Sequence, residues 1–302
     1  LAIVVPCFNE QIALPHTLDV LFRVLSEMVG RGEIAPESYP YFVDDGSADL
    51  TWPHIVSGHE RNKSVRGLKL ARNFGHQNAL LAGLMGVMDR CDAAISIDAD
   101  LQQDPAAIPE FVAQFRRGID VVLGVRKDRE SDGWFKRCSA QLFYLLMRAM
   151  GVPLIANHAD YRLLSRRALK HLTLYGETNL FLRAICTQLG FKTSVVCFDV
   201  KERAYGSTHY TLGRMLKLAL TGIVSTSVVP LRMVALIGFA IFALSLLMAS
   251  YVMYRTLVVG DTVPGWASTT LPIYFIGGVQ LLCLGVIGEY VGQTISEVKR
   301  RP

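Results

Sequence analysis

"AAISIDADLQQDP", residues 93–105, carries the reading from which the rest of the chain unfolds. A short apolar run ends on Asp98, a second carboxylate follows at Asp100, and two amides stand close behind. An acidic turn closing a strand is an ordinary surface feature. Two carboxylates one residue apart also suit a hard divalent cation. In extended backbone, residues two apart point to the same side, so Asp98 and Asp100 are predicted to face one ion while Ala99 turns away. Oxygen donors of this kind suit Mg²⁺ or Mn²⁺, which take few carboxylates and complete their shell with phosphate oxygens and water. The seven histidines are scattered and form no His-x-x-x-His pair, which argues against a histidine-ligated hydrolase.

Working outward, four further runs have the character of strands: "LAIVVP" (1–6), "YFVDDGS" (41–47), "VRGLKLARN" (65–73) and "DVVLGVR" (120–126). Helix-like segments separate the runs at about 11–30, 51–60, 76–90 and 106–117. That alternation predicts an α/β fold with a mainly parallel sheet and helices on both faces. Ligands of such sheets sit beyond the carboxyl ends of the strands. Polar clusters fall at those ends: Asn9-Glu10, Asp44-Asp45-Gly46-Ser47, Arg72-Asn73, and Asp98 with Asp100. Four tails on one edge predict a nucleotide site.

Composition bounds the remainder. At 51% hydrophobic and 19% charged, the 302-residue chain is apolar for a cytosolic enzyme, and the excess is concentrated in its last third. Met233–Tyr254 and Leu271–Gly288 contain no Asp, Glu, Lys or Arg, and each approaches the ~20 residues that cross ~30 Å of hydrocarbon. Two transmembrane helices are therefore expected at about 231–255 and 268–290. Arg214, Lys217 and Arg232 precede the first, and Lys299, Arg300 and Arg301 follow the second. Only Arg255 lies between, so both flanks belong on the cytoplasmic side. The expected organisation is a catalytic domain over 1–207, an amphipathic juxtamembrane segment over 208–230, and the transmembrane hairpin with a cytoplasmic tail over 231–302. A second amphipathic stretch is "WFKRCSAQLFYLLMRAM" (134–150). "LAIVVPCFNE" lacks the basic start of a signal peptide. The net charge of +5 suits anionic headgroups, and no basic-aromatic stripe points to nucleic acid. Six cysteines without a C-x-x-C pair read as reduced thiols.

Taken together, "VPCFNE" (5–10), "VDDGSAD" (43–49), "ARNFGHQNALLAGL" (71–84), "DADLQQDP" (98–105), "ADYRLLSRRAL" (159–169), "ETNLFLRAI" (177–185), "ERAYGSTHYTL" (202–212) and "GEYVGQT" (288–294) resemble membrane-bound family 2 glycosyltransferases. The likeness covers almost the whole chain. It is closest to the polyprenyl-phosphate (bactoprenol) glucosyltransferases, and dolichyl-phosphate mannose synthases and aminoarabinose transferases are more distant. The resemblance implies a GT-A nucleotide-diphospho-sugar fold. It implies that Pro6, Phe8 and Glu10 line the nucleotide and that Asp45 holds its base beside Asp44. Asp98 and Asp100 match the metal motif, with Gln102 as an accessory ligand. Asp160 matches the catalytic carboxylate, with Arg162 beside it. Arg126, Arg129 and Arg203 are the candidates for gripping phosphate, because a guanidinium fork fits its oxygens.

Two features depart from the family pattern. His209 stands where lysine is usual, weakening a phosphate contact, and Gln103-Asp104 replaces the commoner ending of the metal motif.

The implied reaction is inverting transfer of a hexose, glucose first, from a UDP-sugar to undecaprenyl or another polyprenyl phosphate at the inner membrane face. The product would donate sugar for cell-envelope or lipopolysaccharide modification. A homo-oligomer, a tetramer, is the family expectation. Mannose, GlcNAc and aminoarabinose are the alternative sugars. A processive polysaccharide synthase would carry a Q-x-x-R-W motif that is not present, and a non-catalytic membrane scaffold would not need both metal carboxylates.

Overall fold

The computed structural model describes residues 1–127, 158–175, 182–199, 229–254, 258 and 266–299. They fall into two compact units, one running through the last strand and one holding the two C-terminal helices.

The first unit is built on seven strands: β1 (Ala2–Cys7), β2 (Tyr39–Asp44), β3 (Arg66–Lys69), β4 (Ala93–Ser96), β5 (Val121–Arg126), β6 (His158–Ser165) and β7 (Thr193–Phe198). Their order across the sheet is β3-β2-β1-β4-β6-β5-β7. All pairings are parallel except those of β6, which runs antiparallel to both β4 and β5. The sheet is therefore mixed, as a GT-A-like fold requires, and not simply parallel. β6 evades a hydropathy reading because its polar residues, which would ordinarily mark a solvent face, are buried with the rest. One face of it carries His158, Asp160 and Arg162, and the other sends Tyr161 between Phe111 and Phe198.

Helices cover both faces. On one lie α1 (Leu14–Gly30), α2 (Thr51–Arg61) and α4 (Ile108–Arg116), whose Leu21, Leu25, Met28, Ile55 and Phe111 meet Ile3 and Val5 of β1. On the other, α3 (His76–Val87), α5 (Arg166–Leu172) and α6 (Leu182–Gln188) bring Leu80, Leu84, Leu169 and Ile185 against Ala2 and Val4. Adjacent β1 residues thus feed opposite cores, as the two-residue strand period demands. Each fully buried aliphatic side chain contributes about 1.5–3 kcal/mol. Gly83 lets α3 sit tightly on the sheet, since a Cβ there would come within 2.5 Å of Val4 Cγ1 and 2.6 Å of Val43 Cγ2.

At the opposite edge from the polar tails, Asp120 accepts hydrogen bonds from Ser165 Oγ (2.8 Å) and Arg167 (2.5 Å). Burial raises the Asp120 carboxyl, but those two bonds and the charges of Arg167 and Lys192 outweigh it and hold the group below its ordinary range. Asp120→Asn is expected to cost about 1–3 kcal/mol at neutral pH. The loss should narrow as pH falls through the depressed folded value, because the charged form supplies the stability only above it. Thermal unfolding of the two proteins across pH measures this.

The second unit comprises α7 (Val229–Tyr254) and α8 (Trp266–Lys299). Among the described residues, one stretch is long and apolar enough to cross a membrane, Phe275–Gly292, and none of it is buried within the protein. Val229–Ile241 is a shorter apolar stretch. α8 continues well past the 268–290 expected from hydropathy, because "YVGQTISEVK" (290–299) holds no proline and only one glycine to stop it. Of the two amphipathic stretches, 134–150 lies outside the described residues, and so does 208–230 except for Val229 and Pro230, which open α7.

Candidate active site

Three loops at the carboxyl edge are knitted together before any ligand is considered. Asn9, in the left-handed region at φ 57°, donates its N–H to Ser47 Oγ (2.9 Å), and its Oδ1 accepts from Ala48 N–H (3.0 Å). Glu10 N–H reaches Thr51 Oγ1 at 2.8 Å. Asp45, almost fully buried, accepts from the backbone N–H groups of Phe74 (2.7 Å) and Gly75 (2.9 Å). Its carboxylate therefore fastens the β3–α3 loop to the β2 loop. Gly46, at φ 68°, permits this approach, because a Cβ there would lie 2.5 Å from the Arg72 carbonyl carbon. Asp44 accepts from Ser47 N–H at 3.0 Å, and its second oxygen is buried with no partner among the described residues. Pro6 is buried at the end of β1, whereas Phe8 is 46% exposed beside it.

The carboxylate pair takes a form that the strand argument did not anticipate. Asp98 to Leu101 is a turn closed by Leu101 N–H to the Asp98 carbonyl (3.2 Å), with Leu101 at φ 49°. Ala99 is buried, as expected, and its carbonyl accepts from Thr17 Oγ1 of α1 at 2.6 Å. What brings Asp98 and Asp100 together is thus a braced turn and not an extended pleat. Gln103 clasps the first of them: its carbonyl accepts from Asp98 N–H (3.0 Å) and its amide donates to Asp98 Oδ2 (2.6 Å). Gln102 meets the turn through its backbone N–H on Asp100 Oδ1 (3.1 Å).

Strand pairing supplies the remaining carboxylate. Ser96 of β4 lies opposite Arg162 of β6, and Ser96 Oγ donates to the Asp160 carbonyl at 2.8 Å, which sets Asp160 next to Asp98. The Asp160 carboxylate holds two guanidiniums. Arg162, entirely buried, donates from Nη2 to Oδ1, and Arg183 of α6 donates from Nη2 to Oδ2 (2.9 Å) and from Nε to Oδ1 (3.3 Å). Burial would raise this carboxyl, yet Arg162 and Arg183 overcome it and keep the group far below the usual carboxylate range. His76, at the start of α3, has its Nε2 3.7 Å from Asp98 Oδ1 and 3.8 Å from Asp160 Oδ2. Gln77 Nε2 lies 3.4 Å from Asp160 Oδ2. His158 is pushed down to about 3 by burial and by Arg162 and Arg183, so its imidazole is neutral.

Asp98 shows the opposite electrostatics. Its carboxyl is raised to about 6 by desolvation and by the charges of Asp160 and Asp100, against the opposing pull of His76. Carboxylates crowded enough to repel one another fit a cation. The donor set of Asp98 and Asp100 is all oxygen, which suits Mg²⁺ or Mn²⁺. Among the described residues no three His, Cys, Asp or Glu side chains form a cage. Mg²⁺ ordinarily binds through one or two carboxylates together with substrate phosphates, so a cage is not required of it.

Of the residues expected from the sequence, Asp98, Asp100 and Asp160 converge; Asp45 joins them through Phe74 and Gly75, next to His76, whereas Asp44 accepts from Ser47 within its own loop. Arg126 ends β5, two strands away from β4, with its side chain exposed. Arg129, Arg203 and His209 lie outside the described residues. His76, Gln77, Gln103 and Arg183 were not expected. The first two follow a glycine at a helix start, a signal that could have exposed them, whereas only the fold brings Arg183 to Asp160.

Residues 2–173 match Glycosyl transferase family 2. The chain is 48% identical over its full length to an uncharacterized glycosyltransferase of Bacillus subtilis, YkoT, covering 89% of it. It is 38% identical, again over its full length, to the SfII prophage-derived bactoprenol glucosyl transferase of Shigella flexneri, covering 96% of that protein. Among solved structures, glucosyl-3-phosphoglycerate synthase from Mycobacterium tuberculosis superposes with a TM-score of 0.46 at 17% identity, over 74% of this chain and 78% of that one. With its family match extending from β1 into the helix after β6, and full-length relatives well above 30% identity, this chain belongs to glycosyl transferase family 2.

Proposed function

We propose that the protein transfers glucose from UDP-glucose to polyprenyl phosphate, with inversion at the anomeric carbon, on the cytoplasmic face of a membrane. The observation that carries this reading is the meeting of Asp98 and Asp160, one crowded by like charge and the other saturated by two arginines. The full-length likeness to a bactoprenol glucosyl transferase supports the choice of sugar and acceptor.

In the transfer, an oxygen of the lipid phosphate supplies the electron pair for a new bond to the anomeric carbon. The bond from that carbon to the diphosphate breaks, and its pair leaves with UDP. A phosphate monoester has its second pKa near 6 and is mostly dianionic at neutral pH, so no side chain need remove a proton. That matches Asp160, whose strongly depressed carboxyl makes a poor base. Its role is to hold Arg162 and Arg183 in fixed orientation beside the reacting centre. A divalent ion held by Asp98 and Asp100, with Gln102 as an accessory, would offset the charge developing on the leaving diphosphate. Pro6, Phe8, Glu10, Asp44 and Asp45 form or shape the nucleotide pocket. Arg126, Arg129, Arg203 and His209 meet the lipid phosphate.

The membrane assignment rests on α7 and α8. Leu236, Phe239, Leu247, Phe275 and Leu284 are each more than 60% exposed, an apolar surface that water does not favour and lipid does. We take α7 and α8 as a two-helix hairpin that keeps the 1–207 catalytic domain within reach of its lipid, the assembly being a homo-oligomer.

The test is direct. Membranes containing the protein, incubated with radiolabelled UDP-glucose, polyprenyl phosphate and Mg²⁺, should yield an organic-extractable labelled lipid. UDP-GlcNAc, GDP-mannose and a UDP-aminopentose run alongside should yield little. A better signal from one of them would change the sugar, and none from any would end the reading.

A further inference from the structure

We propose that Gln103 is a positioning residue that makes Asp98 a one-oxygen ligand, and that by doing so it selects Mg²⁺ or Mn²⁺ over Ca²⁺. This rests on the transferase reading above and adds the cation preference of its site.

Gln103 is 1% exposed, and both ends of its amide engage one residue. Its Oε1 accepts from Asp98 N–H at 3.0 Å, and its Nε2 donates to Asp98 Oδ2 at 2.6 Å. Only one orientation of the amide satisfies both contacts, because turning it over would set donor against donor and acceptor against acceptor. The backbone around Asp98 is fixed independently. Leu101 N–H holds the Asp98 carbonyl at 3.2 Å, and Thr17 Oγ1 holds the Ala99 carbonyl at 2.6 Å. With main chain and Oδ2 both held, the Asp98 carboxylate keeps one rotation about its last bond. That rotation sets Oδ1 3.7 Å from His76 Nε2, which is itself 3.8 Å from Asp160 Oδ2. The Asp98 side chain is 32% exposed, although the clasping amide is buried. Oδ1 is thus the oxygen turned toward the other groups of the site. Asp100 is held in a similar manner, its Oδ1 accepting from Gln102 N–H at 3.1 Å.

A short hydrogen bond to a carboxylate oxygen competes with a cation for that oxygen's electron pairs. An ion that takes both oxygens of Asp98 has to share Oδ2 with the amide or break a buried clasp. Ca²⁺ gains from two-oxygen carboxylates, because it collects about 6–8 oxygens in a flexible shell. Mg²⁺ needs one or two carboxylates, and phosphate oxygens and water complete its octahedron. Mn²⁺ accepts the same six-oxygen shell. A neutral amide suits this task, since it holds Oδ2 without the charge by which a lysine or arginine would repel the ion.

The probes are the ions themselves, added to purified protein in detergent with UDP. Mn²⁺ binding is read by electron paramagnetic resonance, without turnover. In the parent, Mg²⁺ should displace bound Mn²⁺ at a lower concentration than Ca²⁺ does. Gln103→Met keeps the volume and removes the clasp. It should weaken Mn²⁺ binding about 10–100-fold, the usual loss when a ligand's outer partner is removed. Ca²⁺ should then draw level with Mg²⁺, or pass it, as the displacing ion. Gln103→Met also leaves Asp98 N–H without its acceptor and should lower the thermal midpoint. Gln103→Glu keeps an acceptor for that N–H and sets a second acceptor against Oδ2, so it should give the same shift toward Ca²⁺. A purely structural role would weaken all three ions in proportion and leave their order unchanged. That result overturns the proposal, as does Ca²⁺ displacing Mn²⁺ from the parent as readily as Mg²⁺ does. Mn²⁺ affinity within about threefold of the parent in both variants also overturns it, being far below the loss expected of an outer partner. Parent protein that shows the expected ion order and binds UDP, yet labels no lipid, would instead end the transferase reading.

Discussion

Neutralising Asp98 and Asp100 together should reduce glucosyl transfer by at least about 10³-fold, the loss of a metal-centred charge offset of several kcal/mol. Chelation of divalent ions should do the same to the unmodified protein, and added Mg²⁺ or Mn²⁺ should restore only the latter. A second effect has the opposite sign. The Asp98 carboxyl is raised to about 6 by desolvation and by Asp160 and Asp100, so in metal-free protein its ionisation opposes folding. The stability held by the protonated form is complete below the unfolded value near 4 and is lost as pH rises through about 6. Asp98→Asn should therefore raise the thermal midpoint of chelated protein at neutral pH while abolishing transfer. An inactive but steadier variant is the mark of a site strained for function. Full turnover by the doubly neutralised protein, with all divalent ions removed, would refute the account.

The second large effect is at Asp160. Asp160→Asn leaves Arg162 buried with no countercharge, and orphaning one partner of such a pair costs about 3–5 kcal/mol. Transfer should also fall by about 10²–10³-fold, since neither guanidinium is held in place. Stability and activity can be separated by a double variant. Asp160→Asn with Arg162→Met removes the stranded charge and refills its volume, so the thermal midpoint should return most of the way. Activity should not return, because Arg183 still lacks its anchor. Thermal unfolding in detergent and labelled-lipid yield report the two quantities. Near-normal turnover by Asp160→Asn would remove this residue from the mechanism.

Much of the site was legible because its residues stand where strands end. Asp44, Asp45, Asp98 and Asp100 each close an apolar run, and β1 to β5 follow from those runs. The helices were legible too: α1 to α4 fall within a few residues of their expected spans. β6 was not, since His158, Asp160 and Arg162 alternate with apolar residues as a solvent-facing edge would, whereas the strand is buried on both faces. Its antiparallel direction follows from its position between β4 and β5, a long-range fact without a local signature. For the same reason Arg183 gave no warning, its partner lying 23 residues earlier in the chain. In sequence Gln103 is only a departure from the family pattern, yet its amide clasps Asp98 from both ends. The turn at 98–101 explains why: once the backbone reverses, the residue five positions on returns to the first.

The reversed direction of β6 has an evolutionary corollary. Because β5 ends and β6 begins at one edge, with Val125 paired to His158, the two strand ends that bound residues 128–157 meet two residues short of Asp160. Two such fixed ends define a cassette. Grafting residues 128–157 from a relative that uses another acceptor should retarget the enzyme while the sheet beneath keeps its register.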